Sequence, residues 1–317
     1  MRSTKLRART SLAAVGGSAV LALGAILAAS PASAATPQLG GDWSSFNRCP
    51  VDNPAMLAAD GTNTVAQCIS STSPSGSITL GNTTVPIGAT DVQFGAVENT
   101  ADTSYTLIPP AAGTVISPSV NVPGGLLGLM CPSNILVVTG VCNELANSSL
   151  NTVTATVESA GAPSGFTLTS GLSVGSPIVT IPVVIKLSNP LLASTCEIGS
   201  TSNPILLKPE NSVRPSISVA RFDDDGTPDT AGDLTRIGLT GGTQSDTTFS
   251  VPGANGCGLL GLADLAVDAK ISIPASSGNS ITLNNTSTYL AGLTAPGFAT
   301  PSDGAALSAA WHTAAGQ

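Results

Sequence analysis

The segments QFGAV (93–97), TVTATV (152–157), SPIVTIPVVIKL (176–187), NPILL (203–207), SISVARF (216–222), TRIGL (235–239), TTFSV (247–251) and AKISI (269–273) are short and rich in Val, Ile and Thr. Gly, Pro, Asn or Ser punctuates every gap between them. β-Branched residues at alternating positions fit a pleated, half-buried surface, and the punctuating residues supply turns. With 34 Gly and 23 Pro in 317 residues, few windows are left for helix. The expected fold is therefore all-β, either two tandem related β-sandwich-like units or one large sandwich made from both, disulfide-stapled and with short helical turns. Those turns are expected at 53–59, around each LLGL and at 144–148.

Internal repetition organises the same segments. Ser75-Gly76, Ser164-Gly165 and Ser277-Gly278 each precede an alternating triplet: Ile78-Thr79-Leu80, Phe166-Thr167-Leu168 and Ile281-Thr282-Leu283. Between these copies lie VPGGLLGL (122–129) and VPGANGCGLLGL (251–262), followed by NTVTATVES (151–159) and LAVDAKISIP (265–274), each expected to be a strand. The pattern predicts a tandem duplication closed by a partial third copy. It divides the chain into a leader (1–34), an N-terminal disulfide segment (35–72), repeat units at 73–161 and 162–274, and C-terminal closing strands (275–317).

Residues 1–34 read as a secretory signal peptide: Arg2, Lys5, Arg7 and Arg9, an apolar run from Leu12 to Ala29, then Ala32-Ser33-Ala34. An exported chain with an even number of cysteines implies a disulfide framework. Cys49, Cys68, Cys131, Cys142, Cys196 and Cys257 allow fifteen pairings; sequence neighbours suggest Cys49 with Cys68, Cys131 with Cys142, and Cys196 with Cys257. Without residues 1–34, seven Lys and Arg face nineteen Asp and Glu, a balance of −12 in place of −8. Seven scattered cations cannot form the basic stripe that phosphate backbones require, so no nucleic-acid partner is expected. The uncharged stretch 124–142 is interrupted by Pro132, Ser133, Asn134 and several glycines, and no transmembrane anchor is expected from it.

Motifs for chemistry are sparse. GLSVG (171–175) matches the G-x-S-x-G turn that exposes a nucleophilic serine, but a strand follows it where that motif needs a helix, and the one histidine, His312, would have to serve Ser173 as base. Nineteen acids could place two carboxylates in a cleft, yet aromatic residues, which sugar sites use as platforms, make up only 3% of the chain. Trp43 and Trp311, near opposite ends of the mature chain, are expected in core or strand-end packing. In RFDDDGTPDTAGD (221–233), Asp223, Asp225, Asp229 and Asp233 offer the hard oxygens that calcium prefers. Counted from Asp223, Gly226 is fourth and Leu234 twelfth, so the EF-hand pattern fails, and a solvated hairpin tip between SISVARF and TRIGL is the competing expectation. No other cofactor is expected.

The opening FNRCPVDNPAML (46–57), the segment VPGGLLGLMCP (122–132) and the terminal SAAWH (308–312) resemble segments shared by exported, streptomycete-like actinobacterial proteins of no assigned activity. The resemblance implies secretion and carries over no catalytic residue. Composition and resemblance together lead us to expect a non-enzymatic structural or binding protein, extracellular or wall-associated, with a wall polymer or further copies of itself as partner. The competing expectations are an extracellular hydrolase with a carboxylate site and a membrane-active β-protein that inserts through 103–143.

Overall fold

The computed structural model describes residues 39–125, 149–223, 225–258, 261–293 and 301–316. The expected signal peptide, both LLGL phrases in part, Cys131, Cys142 and the turn at 144–148 lie outside those residues. Strands in two antiparallel sheets are the main secondary structure of the described residues, and Pro37–Gln317 forms one unit.

The first sheet contains β1 (Thr64–Ser73), β2 (Ser75–Leu80), β3 (Thr83–Ile87), β4 (Thr90–Asn99), β5 (Ser104–Ile108), β6 (Val115–Ile116), β12 (Glu210–Val213), β13 (Ser216–Phe222), β14 (Leu234–Asp246) and β16 (Ser280–Leu293). Its central order is β12-β14-β16-β1-β4-β5; β13 lies beside β14, and β2 lies beside β16. The second sheet runs β15-β10-β9-β8-β7, with β11 also on β9: β7 (Val120–Asn121), β8 (Thr154–Ser159), β9 (Ile181–Ser188), β10 (Glu197–Ile198), β11 (Ile205–Leu207) and β15 (Ala254–Asn255). Strands from both expected repeat units share both sheets. Among the described residues the two segments thus build one pair of sheets together.

The repeated phrase has an unexpected fate. Its first and third copies are antiparallel neighbours, Ile78 opposite Ile281 and Ser77 opposite Thr282. The second copy is not a strand: Phe166 and Thr167 lead into a short helix, α2 (Leu168–Leu172). Nor is 265–274 a strand, since it lies mainly within the helix α3 (Leu262–Ile271). Leu262, Ala263, Leu265, Ala266 and Lys270 are strong helix formers, and the buried Val267 and Ile271 are four residues apart, on one helical face. The closing segment likewise holds one strand, β16, and then the helix α4 (Asp303–Ala314). Its alanines favour helix, and Leu307, Ala310, Trp311 and Ala314 fall on one side of it.

The sandwich packs its main core between the sheets, where Ile69, Phe94 and Leu290 meet across three adjacent strands. The opposite face of the first sheet is covered by a second core built from the N-terminal segment, α1 (Pro54–Leu57) and α4. Asn53 caps α1 by accepting the Ala55 N–H at 2.9 Å, and Pro54 opens the helix. Gly95 on β4 leaves space for Met56, whose Sδ would lie 2.7 Å from a β-carbon there. Cys49 is bonded to Cys68 beneath this layer and Cys196 to Cys257 in the main core, both as sequence proximity suggested.

Trp43 and Trp311 both belong to the second core. Trp43 packs tilted against Phe46 and edge-on to Phe222, while the Trp311 Nε1–H donates to the Phe46 carbonyl at 3.1 Å. Arg236 lies about 5 Å from the Phe222 and Tyr289 rings and pairs with Asp42 at 3.1 Å. The hairpin tip after β13 closes over Trp43 through Gly226, at φ +81°, where an added β-carbon would lie 2.7 Å from the indole Cδ1. Gly226→Ala is expected to lower stability by about 1–2 kcal/mol from the left-handed backbone alone, read as a lower urea midpoint with an unchanged slope.

Candidate functional site

Two local irregularities decide which side chains face the space between the sheets. Along β14, Ile237 and Leu239 turn inward, and strict alternation would continue this through Gly241 and Thr243. The pairing with β16 instead slips between Thr240 and Gly242 and again between Gly242 and Gln244. Gly241, at φ +75°, absorbs the bend. Inward orientation passes to Gln244, while Thr243 sits opposite the exposed Val213. On β16 the same happens at Asn285, φ +49°: Ile281 and Leu283 face in before it, and Thr286, Thr288 and Leu290 after it.

The result is a polar group inside an apolar cleft. Three adjoining hollows of about 50, 40 and 20 Å³ lie between the sheets, and Gln244 lines all of them. Their walls are chiefly Val92, Phe94, Phe166, Ile178, Ile181 and Leu283. Phe166 is fixed edge-on by Phe94 at 5.8 Å and by Tyr105 at 5.0 Å. Thr288 shares a 2.7 Å hydrogen bond with Ser71. Gln244 is 8% exposed, and among the described residues its side-chain amide makes no hydrogen bond within the protein but keeps some accessible surface toward the hollows.

The residues singled out from sequence lie elsewhere. The stretch 223–233 is the tip of the β13–β14 hairpin. Asp225 Oδ1 accepts from the Thr227 N–H and hydroxyl at 3.0 and 2.8 Å, which holds its carboxyl below the usual range. Asp229 Oδ1 accepts from the Ala231 N–H at 2.7 Å. Among the described residues, which exclude Asp224, no three His, Cys, Asp or Glu side chains are close enough together to hold a metal ion.

Ser173 and His312 are not brought together as nucleophile and base. The Ser173 hydroxyl donates to the Ser170 carbonyl at 3.2 Å, and Asn211 Nδ2 binds the carbonyls of Gly171 and Ser173. His312 Nε2 contacts both Asp52 oxygens at 2.9 and 3.0 Å, and the Ser308 hydroxyl donates to Asp52 at 2.8 Å. Here the carboxylate stands between serine and imidazole, so the Ser308 hydroxyl meets Asp52 and not the imidazole, and the triad order is not met. Partial burial tends to raise the Asp52 pKa, but the hydrogen bonds from His312 and Ser308 outweigh it and hold the carboxyl below its ordinary value.

Gln244, Thr286 and Thr288 were not legible as site residues. The available signal was Gly241-Gly242 inside a strand pattern and Asn284-Asn285 inside another, both marks of a bulge that reverses which side chains face inward. Among the described residues no helix is long and apolar enough to cross a membrane. Compared with known proteins, the chain matches no family, no curated protein and no solved structure.

Proposed function

We propose that the protein is an exported, non-catalytic binding protein that takes a small amphiphilic molecule into the cleft between its sheets. The observation that carries this reading is the Gln244 amide, which lines all three apolar hollows and makes no hydrogen bond within the protein among the described residues. Concave, mostly apolar sites with a few placed polar groups are the usual form of small-ligand sites. Export rests on the charged and apolar leader with its Ala32-Ser33-Ala34 end, and the two disulfides accord with an oxidising compartment.

Size and polarity narrow the ligand class. At 10–15 Å³ for each water-sized group, the three hollows together accommodate roughly eight non-hydrogen atoms. A straight-chain alcohol or carboxylic acid of about six carbons fills that space and places one hydroxyl or carboxyl group against an amide that both donates and accepts. Hexanoic acid and 1-hexanol are therefore the probes.

Titration calorimetry of the oxidised protein is expected to show saturable binding of at least one probe. Gln244→Leu is expected to weaken that binding roughly tenfold, the loss of one hydrogen bond of about 1.4 kcal/mol. The same substitution should raise the melting temperature of the unliganded protein, because the unpaired amide is gone. Absence of binding by either probe, or equal binding by Gln244→Leu, overturns the reading.

A further inference from the structure

Among the described residues, the edge of the first sheet formed by β13 is unpaired from Ser216 to Val219 and carries exposed apolar side chains. The strand has β14 on one side. On its other side the Arg221 carbonyl accepts from the Asp229 N–H at 3.1 Å, and Phe222 bridges Pro228, so the hairpin tip occupies only the C-terminal end of the edge. Backbone groups two and four residues from Arg221 point the same way. Val219 and Ile217 therefore direct their N–H and C=O groups outward, where no strand meets them among the described residues.

The side chains on this edge are as unguarded as the backbone. Ile217 and Val219 are 59% and 66% exposed, opposite Leu239 and Ile237 on β14, which pack with the main core. They extend the inner face of the first sheet beyond the cover of the second. Free edges are normally blunted by inward charges, bulges or a covering segment. Among the described residues, this edge has none of these from Ser216 to Val219.

We propose that the edge is closed by a second copy of the chain, β13 pairing antiparallel with β13 about a twofold axis at Ser218. The register follows from which groups face out. Centring on Ser218 sets Ile217 of one copy opposite Val219 of the other as a hydrogen-bonded pair, and the twofold repeats it. Both partners in each pair are apolar and on one face, a favourable cross-strand match.

Charge selects the same arrangement. Exposed Arg214 precedes the strand and has no ion pair among the described residues, whereas exposed Asp223, Asp225 and Asp229 follow it. Antiparallel pairing at Ser218 brings Arg214 of each copy to the Phe222-Asp223 end of the other, so the basic and acidic ends complement each other twice. A parallel arrangement would set like charge against like.

The test is sedimentation velocity on the oxidised mature protein together with a register-specific cross-link. A dimer is expected, and Val219→Lys is expected to raise its dissociation constant roughly tenfold or more. Ser218 would be a non-hydrogen-bonded self-pair with Cα atoms about 4.5 Å apart, within reach of a disulfide. Ser218→Cys is accordingly expected to give a covalent dimer on oxidation, and Ser216→Cys is not. A monomer at the highest soluble concentration, a dimer indifferent to Val219→Lys, or equal cross-linking at both positions overturns the proposal.

Discussion

Removing the Cys196–Cys257 bridge, by replacing both residues with alanine, is expected to lower stability by about 4 kcal/mol, the cost of releasing a closed loop of this length in the unfolded chain. The two residues are 61 positions apart and fully buried. The bridge joins the approach to β10 with the loop after β15, and the Ala193 N–H donates to the Cys257 carbonyl beside it. These are the short outer strands of the second sheet, which have only two residues each with which to hold their register. The matching double substitution at Cys49 and Cys68, 19 positions apart, is expected to cost about 3 kcal/mol and to loosen the N-terminal layer. Urea unfolding of each variant beside the parent protein measures both effects, and an unchanged midpoint for Cys196→Ala/Cys257→Ala would show that packing alone fixes those strands.

The strands that were legible from sequence share a physical property. QFGAV and SISVARF lie in β4 and β13 and TVTATV overlaps β8 from Thr154 on; all are too short for a helix, and TVTATV and SISVARF alternate with period two. The same criterion failed at 262–271 and 303–314, where Gly and Pro frequent elsewhere in the chain masked local runs of alanine and leucine that favour helix. The likeness of LAVDAKISIP to NTVTATVES compounded the error, since similar alternation of apolar residues does not specify conformation when the intervening residues are good helix formers. The Cys49–Cys68 and Cys196–Cys257 pairs could be read because each joins cysteines that are neighbours in sequence. The cleft could not, because it depends on two bulges that change which residues face inward, and a bulge is a property of paired strands that a single segment does not display. A Gln in TQSD reads as a solvated strand end until its partner strands are in place.

Asp303→Asn is expected to stabilise the protein above pH 6 by up to about 3 kcal/mol, two pKa units at 1.36 kcal/mol each, and to have no such effect below pH 4. The residue opens α4, is 1% exposed, and accepts the Ala66 N–H of β1 at 2.6 Å. Nearby, the Gly304 N–H donates to the Ala59 carbonyl, and a β-carbon on Gly304 would lie 1.8 Å from the Met56 carbonyl oxygen, so the helix start is seated directly on the N-terminal layer. Burial pushes the Asp303 carboxyl from 3.8 up to about 6; the Ala66 N–H opposes the shift and the negative charge of Asp60 adds to it. A folded-state pKa above the unfolded value means that the native protein holds the proton more tightly, so this residue's contribution to stability is most favourable below pH 4 and declines as pH rises toward 6. Asparagine keeps an oxygen for the Ala66 N–H and carries no charge, which removes that decline. Asp52 and Asp225 have lowered pKa values and act in the opposite sense, losing stabilisation as the solution becomes acidic. The informative quantity is therefore the difference between Asp303→Asn and the parent, measured by urea unfolding at each pH from 4 to 8. A difference that grows through pH 4 to 6 and then levels off is the expected result; one that is constant with pH would mean that Asp303 does not titrate in this window, and that the docking of α4 owes nothing to its protonation.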